Sequence, residues 1–218
     1  VSMTAPSRPL DQYVRDLALK PIAAKVQAGE RLTFEDGLAL YATKDLTGLG
    51  ALANHVRLQK HGLKTYFVQN RRRAYVLSAE DIVKELSKPE NAGVKELHMV
   101  AGHYPKLKID YFENLFRAIK AAFPQLHLKV FTMVEMDYYA KVSGLTVSEF
   151  IDRCVAAGLE SCPGGGAEIF DAGIREEICV GKKDANVWIR NAELCHEKGI
   201  PTNCTMLYGH IETQEERV

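Results

Sequence analysis

The sequence has little of what marks several common protein classes. Its 218 residues carry 28 basic and 28 acidic side chains, so no excess charge attracts nucleic acid or an anionic membrane. No apolar run reaches the roughly 18–20 residues that cross a bilayer, and residues 1–9 lack the charged and apolar regions of a secretory signal. These absences predict a cytoplasmic protein with no nucleic-acid partner and no membrane partner.

Closely spaced cysteines and the common catalytic motifs are also lacking. There is no GxSxG, HExxH or P-loop pattern, so we assign no catalytic nucleophile or base. The cysteines are odd in number and singly placed, which argues against a disulfide framework and against a metal site with CxxC spacing. We therefore assign no metal ligand within the chain and expect thiols in a reducing compartment. The five are Cys154, Cys162, Cys179, Cys195 and Cys204.

Residues 1–62 read as an N-terminal helical segment. Apolar residues recur near helical spacing from Leu10 to Ile22, which predicts one helix there. Thr33 stands before Glu35 and Asp36 as a helix N-cap, and a further helix over 49–58 is expected to stop at Gly62.

Residues 63–218 show a different rhythm, in which short apolar runs alternate with longer amphipathic stretches. Their spacing of about thirty residues suits a strand followed by a crossover helix in a parallel α/β protein. Predicted strands are 65–68, 97–100, 127–133, 159–162 and 202–207. Predicted helices begin at Ser78, Asp110, Thr146, Asp184 and Thr213. Ser78 is predicted as an N-cap, and Thr146 with Glu149 as a capping box.

Two architectures fit this rhythm, a (βα) barrel and a doubly wound sheet. The first crossover helix has no phosphate-binding glycine pattern, which weakens the doubly wound alternative. The fold class predicted is therefore α/β, a (βα) barrel with five βα units after the helical segment. Five units do not close an eight-stranded barrel, so the barrel is open or belongs to a longer protein.

Candidate binding residues follow the predicted strands, where a parallel barrel builds its site. Gly164, Gly165 and Gly166 either let a ligand approach the backbone or form a purely steric turn. Glu135 is either a ligand acceptor or a solvated loop acid, and His103 is either a ligand contact or a structural histidine. Other polar residues that follow the predicted strands are 69–70, the loop pair 137–138, Glu168 and 208–212. The arginine triplet 71–73 is either an anion site or a solvated loop.

Six separate segments of the sequence carry a family resemblance: LTGLGALANHVR (46–57), TYFVQN (65–70), FTMVE (131–135), SGL (143–145), PGGGAEIF (163–170) and TMLYGHIE (205–212). In this order they resemble the aminofutalosine synthase family of radical S-adenosylmethionine (SAM) enzymes in the futalosine route to menaquinone. The cyclic dehypoxanthinyl futalosine synthases and deazaflavin synthases match these segments less well.

The resemblance implies a radical SAM (βα) barrel that uses a [4Fe–4S] cluster and SAM, with flavodoxin or ferredoxin as electron donor and a homodimer as a further expectation. It implies addition of the 5′-deoxyadenosyl radical to 3-[(1-carboxyvinyl)oxy]benzoate, with loss of carbon dioxide, to give 6-amino-6-deoxyfutalosine. The cofactor-binding residues it implies are Gly102, His103, Glu135, Thr205, Leu207, Gly209 and Glu212. The substrate-binding residues we expect are Gly164, Gly165, Gly166, Glu168, Arg175 and Arg217.

The chain departs from that family at one decisive place. The CxxxCxxC loop that holds the cluster should follow the first strand, yet 69–71 run directly into 72–78. The C-terminal barrel units are absent as well. Either the cluster loop lies in a part of the protein outside this sequence, or the protein is a cluster-less ligand-binding barrel. A sister radical SAM enzyme with the same cluster is a further alternative.

Overall fold

A computed structural model describes residues 9–64, 76–179 and 184–218. The predicted strand 65–68, the pair 69–70 and the arginine triplet 71–73 lie outside the described residues. The described part forms two units, one of residues 9–64 with 213–218 and one of residues 76–212. The predicted domain boundary, between residues 62 and 63, comes before residue 64, where the described part of the first unit pauses.

The first unit is helical. Its helices are α1 (Lys20–Ala28), α2 (Phe34–Ala42), α3 (Leu46–His61) and α10 (Gln214–Arg217). The single helix expected from Leu10 to Ile22 is wrong, because two short 3-10 turns, Leu10–Tyr13 and Leu17–Leu19, come before α1. The cap predicted at Thr33 is confirmed, and so is the helix predicted over 49–58. An apolar cluster holds the unit together, formed by Leu10, Val14, Leu19, Ile22, Ala23, Val26 and Leu52.

The second unit is mixed α/β. Its strands are β1 (Glu96–Met99) and β2 (His127–Val130). Its helices are α4 (Ala79–Leu86), α5 (Ile109–Ala122), α6 (Met133–Ser143), α7 (Val147–Ala157), α8 (Ala172–Ile178) and α9 (Ala185–Glu197).

Strand order follows chain order, as it does in a barrel. β1 pairs with β2 in parallel, and single parallel bridges join Lys129 to Ser161 and Cys162 to Thr202. A doubly wound sheet would reverse its order at a switch point. The described strand positions therefore favour the barrel. The runs 159–162 and 202–207 contribute only these bridges, so the longer strands predicted there are wrong.

The third predicted strand ends earlier than expected. β2 stops at Val130, and Met133 begins α6, so 137–138 lie in a helix and not in a loop. Thr132 and Glu135 form a reciprocal capping box that starts α6 directly after the strand. The capping box predicted at Thr146 is confirmed by α7, and the helix predicted to begin at Thr213 is confirmed by α10.

The core lies between the strands and the helices that follow them. Leu128 and Val130 of β2 are buried against α5 and α7, together with a set of aromatic rings. Phe112 meets Phe131 and Tyr139 edge to face, each at 4.7 Å between ring centroids. In the described part of the chain the helices are too short or too polar to span a bilayer.

An ion pair joins α5 to α7 at the edge of this core. Arg153 Nε donates to Glu113 Oε1 at 2.9 Å, and its Nη2 donates to Glu113 Oε2 at 2.7 Å. These bonds hold the pKa of Glu113 below its ordinary value of 4.5. The folded form thus binds the Glu113 proton less readily than the unfolded form does.

We expect Glu113→Gln to reduce the loss of stability in acid. The contribution of Glu113 is fully present above pH 4.5 and is lost as the pH falls through the lower folded-state pKa. Urea unfolding at pH 7 and at pH 3.5 should therefore differ less in the variant than in the wild type. An equal difference in both proteins would contradict this role.

Candidate functional site

Most of the predicted site residues lie in the second unit, and several of them follow strand positions at one edge of it. Parallel strands end at the same edge, and Gly102 follows β1 while Thr132 follows β2. Gly164 follows the bridge at Cys162, and Thr205 follows the bridge at Thr202. The structure thus brings these four positions, of which Gly102, Gly164 and Thr205 are predicted site residues, into adjacent places along what we call the loop edge.

Glu135 links the ends of two strands. Its Oε1 accepts from the Gly102 N–H at 2.6 Å, and its Oε2 accepts from the Thr132 N–H at 2.9 Å. The residue is 95% buried, so the solvated loop acid considered from the sequence is wrong. Its contact with a cofactor stays a prediction. Gly102, the other predicted contact of this pair, has its N–H engaged by Glu135.

Glu135→Gln should destabilise the second unit by about 2 kcal/mol, because one amide nitrogen would face a backbone donor in a buried place. Glu149→Gln is the matched control, since Glu149 forms the same capping box with Thr146 on the surface, without a bond to another strand of the described chain. Urea unfolding of both variants measures the difference. Equal losses would mean that the Gly102 bond contributes nothing.

His103 lies beside the aromatic residues of α6. Its ring stacks on Tyr138 with centroids 4.3 Å apart and planes 19° apart. The neighbouring Tyr104 N–H donates to the Tyr139 hydroxyl at 3.3 Å. His103 itself is exposed at the loop edge, and its ligand contact stays a prediction.

The triple glycine has a steric reason at its first position. A Cβ on Gly164 would stand 2.5 Å from the carbonyl carbon and oxygen of Asn203 and 2.7 Å from the Cys204 nitrogen. Gly165 and Gly166 face side chains instead, the Thr132 methyl and the Val134 methyl. The loop is therefore built for close packing, and its contact with a substrate stays a prediction.

The segment after Thr202 is bonded to this glycine loop. The Thr205 hydroxyl donates to the Gly164 carbonyl at 2.8 Å, and the Leu207 N–H donates to the Glu168 carbonyl at 2.8 Å. Glu168 has a left-handed φ of 55°, and its Oε1 accepts from the Gly166 N–H at 3.2 Å. The predicted cofactor residues Thr205 and Leu207 thus lie directly against predicted substrate residues.

Glu212 closes the turn that follows. Its Oε1 accepts from the Gly209 N–H at 2.6 Å and its Oε2 accepts from the His210 N–H at 2.9 Å. The residue is 91% buried. These bonds fix the turn, and the cofactor contacts expected of Gly209 and Glu212 stay predictions.

The two arginines expected to bind the substrate have different surroundings. Arg175 is buried, and its guanidinium donates to the backbone carbonyls of Gly166, Ala167 and Ile169. Arg217 lies in the first unit, with its guanidinium carbon 5.2 Å from the centroid of the Tyr41 ring. Arg175 therefore stabilises the glycine loop by binding its backbone carbonyls. Substrate contacts of either arginine stay predictions.

Two features of the edge escape prediction from the sequence. Strand and loop are expected where α6 lies, although its Thr132-x-x-Glu135 pattern is the same capping signal that predicts α7 from Thr146 and Glu149. The support that Arg175 gives to the glycine loop is the second, because no local sequence pattern links an arginine to carbonyls of a preceding loop.

The cysteines of this chain do not fit a [4Fe–4S] cluster. Such a cluster needs closely placed thiolates, and every cysteine lies at or beyond position 154 without the required spacing. Cys154 and Cys162 are fully buried, and burial raises the pKa of the Cys154 thiol. Among residues 9–64, 76–179 and 184–218, no group of three metal-binding side chains occurs. We therefore derive no reaction step through a cluster held by these residues.

Thiol labelling should show this burial directly. Cys204 is exposed and the other four cysteines are buried, so an aromatic disulfide reagent should modify about one thiol in the native chain and all five in denaturant. Cys204→Ser should abolish the native reaction. Rapid labelling of several thiols in the folded chain would contradict the described core.

The chain is similar in sequence to several proteins of one superfamily. The model of the Radical SAM superfamily matches residues 55–218. An aminodeoxyfutalosine synthase of Thermus thermophilus is 42% identical over 228 residues, covering 94% of this chain and 61% of that protein. The one from Streptomyces coelicolor is 40% identical over 227 residues, covering 93% and 59%.

More distant similarities point the same way. A 5-amino-6-(D-ribitylamino)uracil–L-tyrosine 4-hydroxyphenyl transferase of Methanothermobacter thermautotrophicus is 36% identical over 208 residues, covering 94% of this chain and 54% of that protein. Methylornithine synthase has a similar structure, with a TM-score of 0.67 and 16% identity over 88% of this chain and 60% of that one. This likeness confirms the α/β barrel-type fold. The chain spans about three-fifths of the two aminodeoxyfutalosine synthases.

Proposed function

The chain belongs to the radical SAM superfamily, and on that premise we propose that its protein is a transferase of the aminodeoxyfutalosine synthase type. The reaction joins the 5′-deoxyadenosyl group of SAM to 3-[(1-carboxyvinyl)oxy]benzoate, with loss of carbon dioxide, and yields 6-amino-6-deoxyfutalosine. The observation that carries this proposal is the 40–42% identity to two such synthases over nearly the whole chain. The hydroxyphenyl transferase is less similar, at 36%.

The loop edge is the part of this chain that would hold SAM and the substrate. Members of the superfamily use a [4Fe–4S] cluster and SAM, and the cluster supplies one-electron chemistry when bound. Glu135 keeps the ends of β1 and β2 together, and the bonds between Thr205 and Gly164 keep the next two strand positions together. A fixed edge of this kind orients a small molecule, while the packed glycine loop excludes water beside it.

The cluster ligands belong, in this proposal, to a segment that the sequence does not contain. The alignment with the Thermus relative has 228 positions but takes in 94% of these 218 residues, about 205, so about 23 positions have no counterpart here. Flavodoxin or ferredoxin is the proposed electron donor, since the cluster must be reduced. A homodimer is the proposed assembly.

Reconstitution of the full-length protein tests this function. The protein is incubated without oxygen with iron, sulfide, reductant, SAM and 3-[(1-carboxyvinyl)oxy]benzoate, and the products are identified by mass spectrometry. We expect iron to be bound and 6-amino-6-deoxyfutalosine to form. A different adenosyl or futalosine product would favour a sister enzyme such as cyclic dehypoxanthinyl futalosine synthase.

The cluster-less ligand-binding barrel is favoured by one observation, the lack of any cysteine before position 154. An intact mass of the natural protein separates it from the enzyme. A mass of 24.3 kDa with no bound iron would overturn the catalytic proposal. A larger mass with a bound cluster would support it.

A further inference from the structure

The strands carry a polar surface opposite the helices, which we call the inner face. Leu97 and Met99 of β1 pack on the helical core, as do Leu128 and Val130 of β2. Because side chains alternate along a strand, the residues between them project to the other side. The inner face is formed by Glu96, His98, His127 and Lys129.

Lys129 stands at the centre of the inner face. The strand register places it opposite His98 on β1, and a parallel bridge pairs it with Ser161 on the other side. Neighbouring strands lie about 4.8 Å apart, so the side chains of Lys129 and His98 share one region of space.

The Lys129 ammonium is poorly supplied with acceptors. Its side chain is 19% exposed, and its ion pair with Glu96 spans 3.8 Å, longer than a hydrogen bond. Within the residues that the structure describes, no acceptor bonds the side chain of either Lys129 or His98. An ammonium carries three donors, and among the described residues the long pair with Glu96 satisfies none of them with a hydrogen bond. These donors are therefore available to an acceptor on a bound molecule.

His98 complements the cation as a neutral donor. His98 is an exposed residue of β1, and its partial desolvation, followed by the nearby charge of Lys129, lowers the pKa of its ring and favours the uncharged form at neutral pH. Glu135 is close enough to act on the same ring, which places the inner face just below the loop edge. Together the two side chains offer one ammonium, which Glu96 faces at 3.8 Å, and one neutral N–H. That combination suits a single carboxylate better than a polyanion.

Building on the proposed function, we propose that Lys129 and His98 bind a carboxylate of the substrate on the inner face. The proposed substrate carries two carboxylates on an aromatic acid, and this site would take one of them. The side of the substrate's aromatic ring away from this carboxylate would then lie toward the loop edge, where the reaction takes place. Lys129 is thus a substrate-positioning residue that selects an anionic aromatic acid over a neutral one.

Binding to the full-length protein without added SAM or reductant tests the site. The probes are 3-[(1-carboxyvinyl)oxy]benzoate, benzoate, its neutral analogue benzamide and inorganic phosphate, each measured by titration calorimetry. We expect the wild type to prefer benzoate to benzamide, and Lys129→Gln to weaken binding of both carboxylates about tenfold. Lys129→Arg should stay within about threefold of the wild type, and His98→Gln should lose about threefold.

Lys141→Gln is the matched control, because Lys141 is an exposed lysine on α6 of the same unit. It should bind like the wild type, and thermal unfolding checks that every variant is folded. Should Lys129→Gln fail to fold, Lys129→Arg, His98→Gln and the benzoate-to-benzamide ratio of the wild type still decide the question. Unchanged carboxylate binding in folded Lys129→Gln would overturn the proposal, as would phosphate binding as tight as benzoate.

The outcome separates this site from the proposed function. If the reconstituted wild type forms the expected product and Lys129→Gln does so with unchanged KM, the function stands and the site is refuted. If the wild type forms no product yet binds benzoate through Lys129, the site stands and the function falls. A raised KM with nearly unchanged kcat in Lys129→Gln supports both.

Discussion

Replacement of Gly164 by alanine is expected to lower the free energy of unfolding by about 3 kcal/mol, at the high end for an overpacked site. The added Cβ would stand 2.5 Å from backbone atoms of Asn203 and 2.7 Å from the Cys204 nitrogen. Backbone atoms cannot rotate away as a side chain does, so the two segments must separate. Their separation would also strain the bond from the Thr205 hydroxyl to the Gly164 carbonyl.

Gly165→Ala gives the matched comparison for this effect. Its Cβ would stand 2.8 Å from the Thr132 methyl, a side-chain atom that a small shift can move aside, whereas Gly164 faces backbone. Urea unfolding should rank Gly164→Ala well below Gly165→Ala in stability. If the first costs less than the second, the close approach of Asn203 is not what requires glycine there.

Arg175→Met should be at least as damaging, with a loss of about 4 kcal/mol. The substitution keeps an unbranched apolar stem but removes a buried guanidinium that donates to the carbonyls of Gly166, Ala167 and Ile169. Three buried acceptors would lose their donor at once. Arg175→Lys should recover only part of the loss, because one ammonium cannot reproduce the planar fork.

Arg190→Met serves as the control, since Arg190 is an exposed residue of α9 and its loss should change stability by no more than about 0.5 kcal/mol. Urea unfolding gives the stabilities, and amide hydrogen exchange over 164–170 reports the order of the loop. Slow exchange there in Arg175→Met, equal to the wild type, would show that the loop does not depend on this arginine.

Helix starts are predictable from the sequence because their signals are local. Thr33, Ser78, Thr146 and Thr213 each cap a helix through a residue three positions later. The end of β2 is not predictable in the same way. Phe131 has a left-handed φ of 63°, a conformation unfavourable for a bulky residue, and no glycine marks the turn.

Packing explains the turn at Phe131. Its ring is fully buried and contacts Phe112 and Phe150, with centroids 4.7 and 5.4 Å away. Burial of such a ring offsets the roughly 1–3 kcal/mol cost of the unfavourable backbone. Apolar periodicity alone reads 127–133 as one continuous strand, because the residues that impose the turn are distant in sequence.

The candidate site is likewise predictable only in part from the sequence. Parallel strands end at one edge, so the order of strands along the chain is enough to group Gly102, Glu135 and Gly164 there. What each group contacts does not follow from that order. The carbonyls bound by Arg175 and the backbone that approaches Gly164 are set by how loops fold back, and no local pattern encodes that.

The order in which the strands pair has a consequence for how the chain is made. Glu96 pairs with His127, Lys129 with Ser161 and Cys162 with Thr202, so each described strand position joins the one made just before it. A ribosome needs about 1.5–8 seconds for these intervals at about 5–20 residues per second. During that time the newest strand is an open edge beside other nascent chains. The polar side chains of the inner face, Lys129 among them, discourage mispairing until the next strand arrives.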